Sequence, residues 1–131
     1  MAIIGIEALV YGVENVEESA RFFDDFGLVR SEEDGADGVA YALPEGSRVL
    51  VLPRDDARFA ASAVEGSGVQ EVIWGVSDQA ALDRLVRDLS SDLDVTVDAR
   101  GIARFVTPFG IAMGLRVFAR RPFVSATDPL N

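Results

Sequence analysis

The chain has 131 residues, about half of them apolar, a formal net charge of −10, and neither His nor Cys. Such a chain suits one compact domain that buries a core without disulfides. It cannot use an imidazole base, a cysteine nucleophile, or a metal site built on imidazole or thiolate. With no basic stripe to offset the negative charge, nucleic acid is not expected as a partner. No stretch approaches the roughly 18 apolar residues of a membrane-spanning helix, and no membrane partner is expected.

The N-terminal segment "MAIIGIEALVYGV" lacks a basic leader pattern and reads as a long strand, with a cytoplasmic location expected. Asn15 then stands where a helix N-cap belongs, with Glu18 three residues on in a capping-box pattern. Val16, Ala20 and Phe23 recur at helical spacing, Phe22 and Phe26 widen the apolar stripe, and Gly27 is placed to stop the helix. Next come "LVRSEED", "GVAYALP" and "SRVLVLP", three short strands broken by turns at "GADG" and "PEG". Residues 55–68, "DDARFAASAVEGSG", read as a connector in which "ARFAASAV" could form a short helix.

The order then repeats. "VQEVIWGV" predicts a strand and Asp78 a helix cap. Ala81, Leu82, Leu85, Val86 and Leu89 give an amphipathic face. "VTVDARG", "IARFVTP" and "GIAMGLRVF" predict three more strands. Shifting the sequence by 63 residues lays Tyr11 on Trp74, Gly12 on Gly75, Val13 on Val76 and Asn15 on Asp78. A shift of 64 sets Pro44-Glu45-Gly46 against Pro108-Phe109-Gly110. Self-similarity at a fixed period marks a repeated supersecondary unit. The expected architecture is therefore α+β: two βαβββ modules, about 1–54 and 69–118, forming a curved mixed sheet around a cleft. Residues 1–118 make a single domain, and the Pro-, Ser- and Thr-containing 119–131 read as a tail or linker.

Several segments carry the likeness to one family. "VENVEESARFFDDFGL" resembles an Asp-x-x-x-Ser-x-x-Phe-Tyr-x-x-x-Leu-Gly-Leu pattern, with Asn15, Ser19, Phe22, Phe23 and Phe26-Gly27-Leu28 at its positions. "TPFGIAMGL" resembles Asp-Pro-x-Gly-x-x-x-Glu-Leu. Together with the doubled module, these segments resemble the vicinal oxygen chelate superfamily. It includes glyoxalase I, bleomycin- and fosfomycin-resistance proteins and extradiol dioxygenases.

The resemblance implies that a divalent metal would be held from the middle of the first strand and from the last strand of each module. Those positions fall on Ala8, Leu50, Glu71 and Gly114, of which only Glu71 offers a side-chain ligand. Glu7 does not substitute, because strict alternation puts it on the face opposite Ala8. No metal and no cofactor is therefore expected in this chain. Alternation from the same positions gives a cleft lined by Ala8, Val10, Arg48, Leu50, Glu71, Ile73, Ala112, Gly114 and Arg116. It sends Tyr11 and Trp74 to the helix side as core. Gly12 and Gly75 read as bulges or points of close packing.

Glu71 is the one candidate base. Paired with an Arg across the cleft, it reads either as a ligand-binding pair or as an ion pair of the sheet. The resemblance implies a domain without the family's metal ligands: the non-catalytic N-terminal domain, or stand-alone relative, of an extradiol-dioxygenase-like protein. The alternative is a metal-free binding protein of bleomycin-resistance type. A metal-dependent lyase or dioxygenase is a third reading, against which the ligand tally argues. The expected partner is a small hydrophobic or aromatic molecule, and the expected assembly a homodimer.

Overall fold

The computed structural model describes residues 2–31, 38–60 and 64–118. The first module runs β1 (Ile3–Val13), α1 (Val16–Phe26), β2 (Val29–Ser31), β3 (Val39–Ala42) and β4 (Arg48–Pro53). The second runs β5 (Gly68–Val76), α2 (Gln79–Ser90), β6 (Thr96–Val97), β7 (Ala103–Val106) and β8 (Ala112–Val117). All eight strands form one mixed, curved sheet in the order β2-β3-β4-β1-β5-β8-β7-β6. β1 lies antiparallel to β5 at its centre, and each also pairs in parallel with the last strand of its own module. Adding four to each strand number of the first half reproduces the second read in reverse, so a pseudo-twofold axis passes between β1 and β5. The repeat seen in the sequence is thus a repeat in space, and both modules pack within one chain.

Local chemistry sets the element ends. The Asn15 side chain accepts the Glu18 amide at 3.0 Å, and Asp78 accepts the Ala81 amide at 2.8 Å, so each cap satisfies an otherwise orphaned donor. Gly27 closes α1 at φ +109°, a conformation that side chains with a Cβ disfavour, and its amide returns to Phe23 and Asp24. Among the described residues the connector forms a 3-10 turn, Ala57–Phe59, where Asp56 accepts the Arg58 amide; residues 61–63 of the short helix considered there lie outside the described residues. One expectation needs correction. The strand expected over "VTVDARG" is cut to Thr96–Val97. Asp98 Oδ1 accepts the amides of Arg100 and Ile102 at 2.8 and 3.0 Å, and this turn ends the ladder. The tail or linker expected at 119–131 lies outside the described residues.

The two faces of the sheet are packed differently. On one, Val13, Tyr41, Val49 and Val51 pack with Val16 and Phe23 of α1. There the Tyr41 hydroxyl donates to the Ala20 carbonyl at 2.9 Å, and Tyr11 meets the Phe23 ring edge-on at 5.3 Å. In the second module, Val76, Leu115 and Trp74 pack with Ala81, Leu82 and Leu85 of α2. Tyr11 and Trp74 are helix-side core, as alternation predicts. On the other face, Ala8, Val10, Ala40, Leu50, Leu52, Phe59, Ile73 and Ile102 form one cluster to which both modules contribute and neither helix does. This face forms the cleft.

Candidate functional site: an arginine-rimmed cleft

Period-two alternation builds the cleft wall. Ala8 pairs with Arg48, Val10 with Leu50 and Gly12 with Leu52 across β1–β4, so all six share the cleft face. Across β1–β5, Ala8 meets Ile73 and Val10 meets Glu71. A cavity of about 440 Å³ opens over this wall. Its floor is apolar: Val39, Leu50, Leu52, Ile73 and Ile102. Its charged members are Arg48, Arg58, Arg100 and Arg104 against Asp56 and Asp98. A smaller cavity of about 260 Å³ adjoins it, reaching Gln70, Glu71 and Ala112 and sharing Arg58 and Arg104 with the first. These two arginines border both spaces.

Arg104 is the electrostatic centre. It projects from β7 opposite Gly114, donates one guanidinium nitrogen to Glu71, and donates Nε to Asp98 Oδ2 at 3.1 Å. Burial pushes the Arg104 pKa down, but the Glu71 and Asp98 carboxylates outweigh it and hold the guanidinium above its ordinary value. The Asp98 carboxyl is pushed up by burial. The Ile102 amide, the Arg104 guanidinium and the Arg100 amide outweigh that and hold it below the ordinary carboxylate value.

A carboxyl with a lowered folded pKa stabilises the fold above its unfolded pKa, about 3.9, and that stability is lost as pH falls through the folded value. The melting temperature should therefore drop as pH falls below about 4. Asp98→Asn should start lower at neutral pH and lose less over the same acid interval. An acid-induced loss equal to the parent's contradicts this role for Asp98.

The other expected cleft residues are placed as follows. Ala8 and Val10 are on the cleft face but fully covered, at 0% exposure. Arg48, Leu50 and Ile73 line the larger cavity, and Glu71 and Ala112 the smaller. A Cβ on Gly114 would lie 3.1 Å from Ile102 Cγ2 and 3.3 Å from Ile73 Cγ1, so the space a side chain would need is already filled. Arg116 turns instead to Glu7, 3.8 Å away.

That contact corrects the expectation for Glu7. The β1–β5 register slips between Ile6 and Ala8. The bulge inserts Glu7 as an extra residue and turns it, with Ala8, to the side that carries Arg116. It still does not join Glu71, whose partner across the strands is Val10. Gly12 and Gly75 are points of close packing: a Cβ there would come within 2.8 Å of the Phe59 ring and 2.3 Å of the Phe118 ring, respectively.

The comparison with known proteins joins this geometry to a fold. No protein-family model matches the sequence, and no curated protein matches it. Among solved structures, a 2,3-dioxygenase from Pseudomonas sp. KL28 superposes with a TM-score of 0.71 at 21% identity, over 90% of this chain and 42% of that one. The fold is the glyoxalase/dioxygenase fold. A Mn(II)-bound glyoxalase from Novosphingobium aromaticivorans gives 0.62 at 16% identity, over 94% of this chain and 43% of its own. A methylmalonyl-CoA epimerase from Mycobacterium tuberculosis gives 0.57 at 18%, over 87% of both chains. This chain thus spans about two-fifths of the dioxygenase and the glyoxalase. At these identities the likeness is one of fold.

The Mn(II)-bound glyoxalase raises the question of a metal, and the residues at the positions that the sequence resemblance assigns to ligands do not fit one. Ala8 and Leu50 are hydrocarbon inside the apolar cluster. Gly114 has no side chain, and its neighbours fill the space. Glu71 is already bound to a guanidinium. Among the described residues no three carboxylates, imidazoles or thiolates converge. Where a divalent ion would need two or more oxygen ligands, this cleft sets the cation of Arg104 against Glu71.

Sequence reasoning did not find Arg104, Arg58, Arg100, Asp56 or Asp98. A signal existed for Arg104: the "TPFGI" turn fixes the β7–β8 register, which sets Arg104 opposite Gly114 and hence on the cleft face. Arg58, Arg100 and their aspartates sit in or beside turns, where alternation says nothing.

Proposed function

We propose that this chain is a metal-free domain of dioxygenase type whose cleft binds a small, largely apolar molecule. One observation carries the reading. The positions assigned to metal ligands hold Ala8, Leu50, Gly114 and an arginine-bound Glu71, yet a cavity of about 440 Å³ stays open on the same face. A cleft that had lost its role altogether would gain stability by filling with side chains, because voids forfeit packing contacts. An apolar floor with a few charged groups is the usual make-up of a small-molecule site.

Within this proposal the domain is the non-catalytic N-terminal half, or a stand-alone relative, of an extradiol-dioxygenase-like protein. The likeness of 0.71 to a region of the dioxygenase, against 0.57 to an epimerase of similar length, favours that placement over a free-standing binding protein of bleomycin-resistance type. The proposal extends to a homodimer in the cytoplasm, which solution mass and cell fractionation test. Glu71 serves as an ion-pair partner in it, and not as a base.

A thermal-shift screen with catechols, glutathione adducts and glycopeptide antibiotics, run with and without Mn(II) or Fe(II), tests the function. The expected result is stabilisation by small aromatic compounds that is indifferent to metal, with no ring-cleavage product from catechol and Fe(II). Stabilisation that requires the metal, or turnover of catechol, contradicts it.

A further inference from the structure

We propose that the cleft is selective for a carboxylate carried on an aromatic or aliphatic body, a ligand class opposite to the one the net charge of −10 suggests. The inference rests on the reading of the cleft as a small-molecule site and goes on to name the ligand.

Every basic residue of the chain is an arginine, twelve in all, and four of them line one cavity. Among the described residues, Arg48, Arg58, Arg100 and Arg104 line this cavity with Asp56 and Asp98, and Arg104 also meets Glu71 beside it, so four positive charges stand against three negative. Charges spread over the far surface are screened beyond about 8 Å at physiological ionic strength, so the lining decides what the cavity attracts. Guanidinium is charged at any physiological pH and presents a planar fork of five donors that matches a carboxylate.

The argument does not require any of the four to be free. A guanidinium can serve two carboxylates at once, and Arg104 does so here with Glu71 and Asp98. Arg58, held by Asp56 at 3.6 Å, keeps donors to offer in the same way. The apolar floor of Leu50, Leu52, Ile73 and Ile102 takes the body of the ligand, and the mouth takes its charged end. The adjoining smaller cavity sets Glu71 and Asp94 against the two shared arginines and has no such excess, so the anionic head belongs in the larger one.

Calorimetric titration with four matched probes tests this: 4-phenylbutyrate, its amide, 4-phenylbutylamine and 4-phenylbutyl phosphate. The acid is expected to bind about tenfold tighter than the amide, the difference of one charge-assisted hydrogen-bonded contact, and tighter than the amine. Arg58→Gln and Arg100→Gln replace exposed side chains, so the fold should survive, which unchanged melting temperatures would verify. Each should weaken the acid about tenfold and leave the amide unchanged.

Equal or tighter binding of the amide or the amine overturns the inference while leaving the cleft a binding site. A phosphate ester that outbinds the acid overturns the carboxylate assignment. Failure of all four probes, the neutral one included, overturns the binding reading itself.

Discussion

Arg104→Met is expected to lower the unfolding free energy by about 3 kcal/mol, because it strands a buried carboxylate. Glu71 has a side chain only 9% exposed, and among the described residues its Oε1 already has no hydrogen-bond partner. Oε2 depends on Arg104. Taking away the guanidinium leaves the charge in a poorly solvated site, and breaking buried pairs from one side characteristically costs more than the pair is worth. Asp98 is affected less, since it keeps the Arg100 and Ile102 amides. Glu71→Leu combined with Arg104→Met should therefore recover most of the loss, because no buried charge is left. Urea denaturation of the two single variants and the double closes the cycle. A single variant that costs under about 1 kcal/mol would mean that the pair behaves as a solvated surface bridge.

Phe59→Ala is expected to cost about 3–5 kcal/mol, the range for deleting a buried aromatic side chain. Phe59 is 3% exposed and follows β4 into the cleft-face cluster. Its ring packs so close to β1 that residue 12 has no room for a Cβ. The residue thus joins the apolar wall formed by Ala8, Val10 and Leu52 and lines the smaller cavity. Removing it should leave an apolar void, and such voids stay dry and accept small aromatic molecules. Toluene should thus raise the melting temperature of the variant by more than it raises that of the parent, because the variant offers it a further apolar space. A variant that melts with the parent, or one that toluene does not rescue, would show that the site relaxes closed.

The first strand of each module, the two capped helices and the helix-side core were legible because each rests on a local rule. Asn15 and Asp78 stand at fixed offsets before amphipathic runs, and Tyr11 and Trp74 follow from period-two alternation. The duplication was legible because the modules keep matching residues at matching places, down to the glycines of β1 and β5. Glu7 was misplaced for a physical reason: a bulge adds a residue to one strand only, and no single-strand pattern announces it. Alternation named Leu50 and Ile73, which lie in the cavity floor, and did not name Val39 or Ile102. The charged rim was not legible, because Arg58, Arg100, Asp56 and Asp98 sit where turn geometry, set by three-dimensional closure of the chain, decides which way a side chain points.

The asymmetry between modules is the most informative outcome. Ala8, Ala40 and Leu50 of the first half correspond to Glu71, Arg104 and Gly114 of the second. One half has become hydrocarbon; the other carries its own cation.

Metal analysis tests this account most directly. The purified protein, incubated with Mn(II), Fe(II), Ni(II) or Zn(II) and then dialysed, should retain no stoichiometric metal, and Glu71→Gln should leave that result unchanged. One ion per chain, lost on Glu71→Gln, would contradict it.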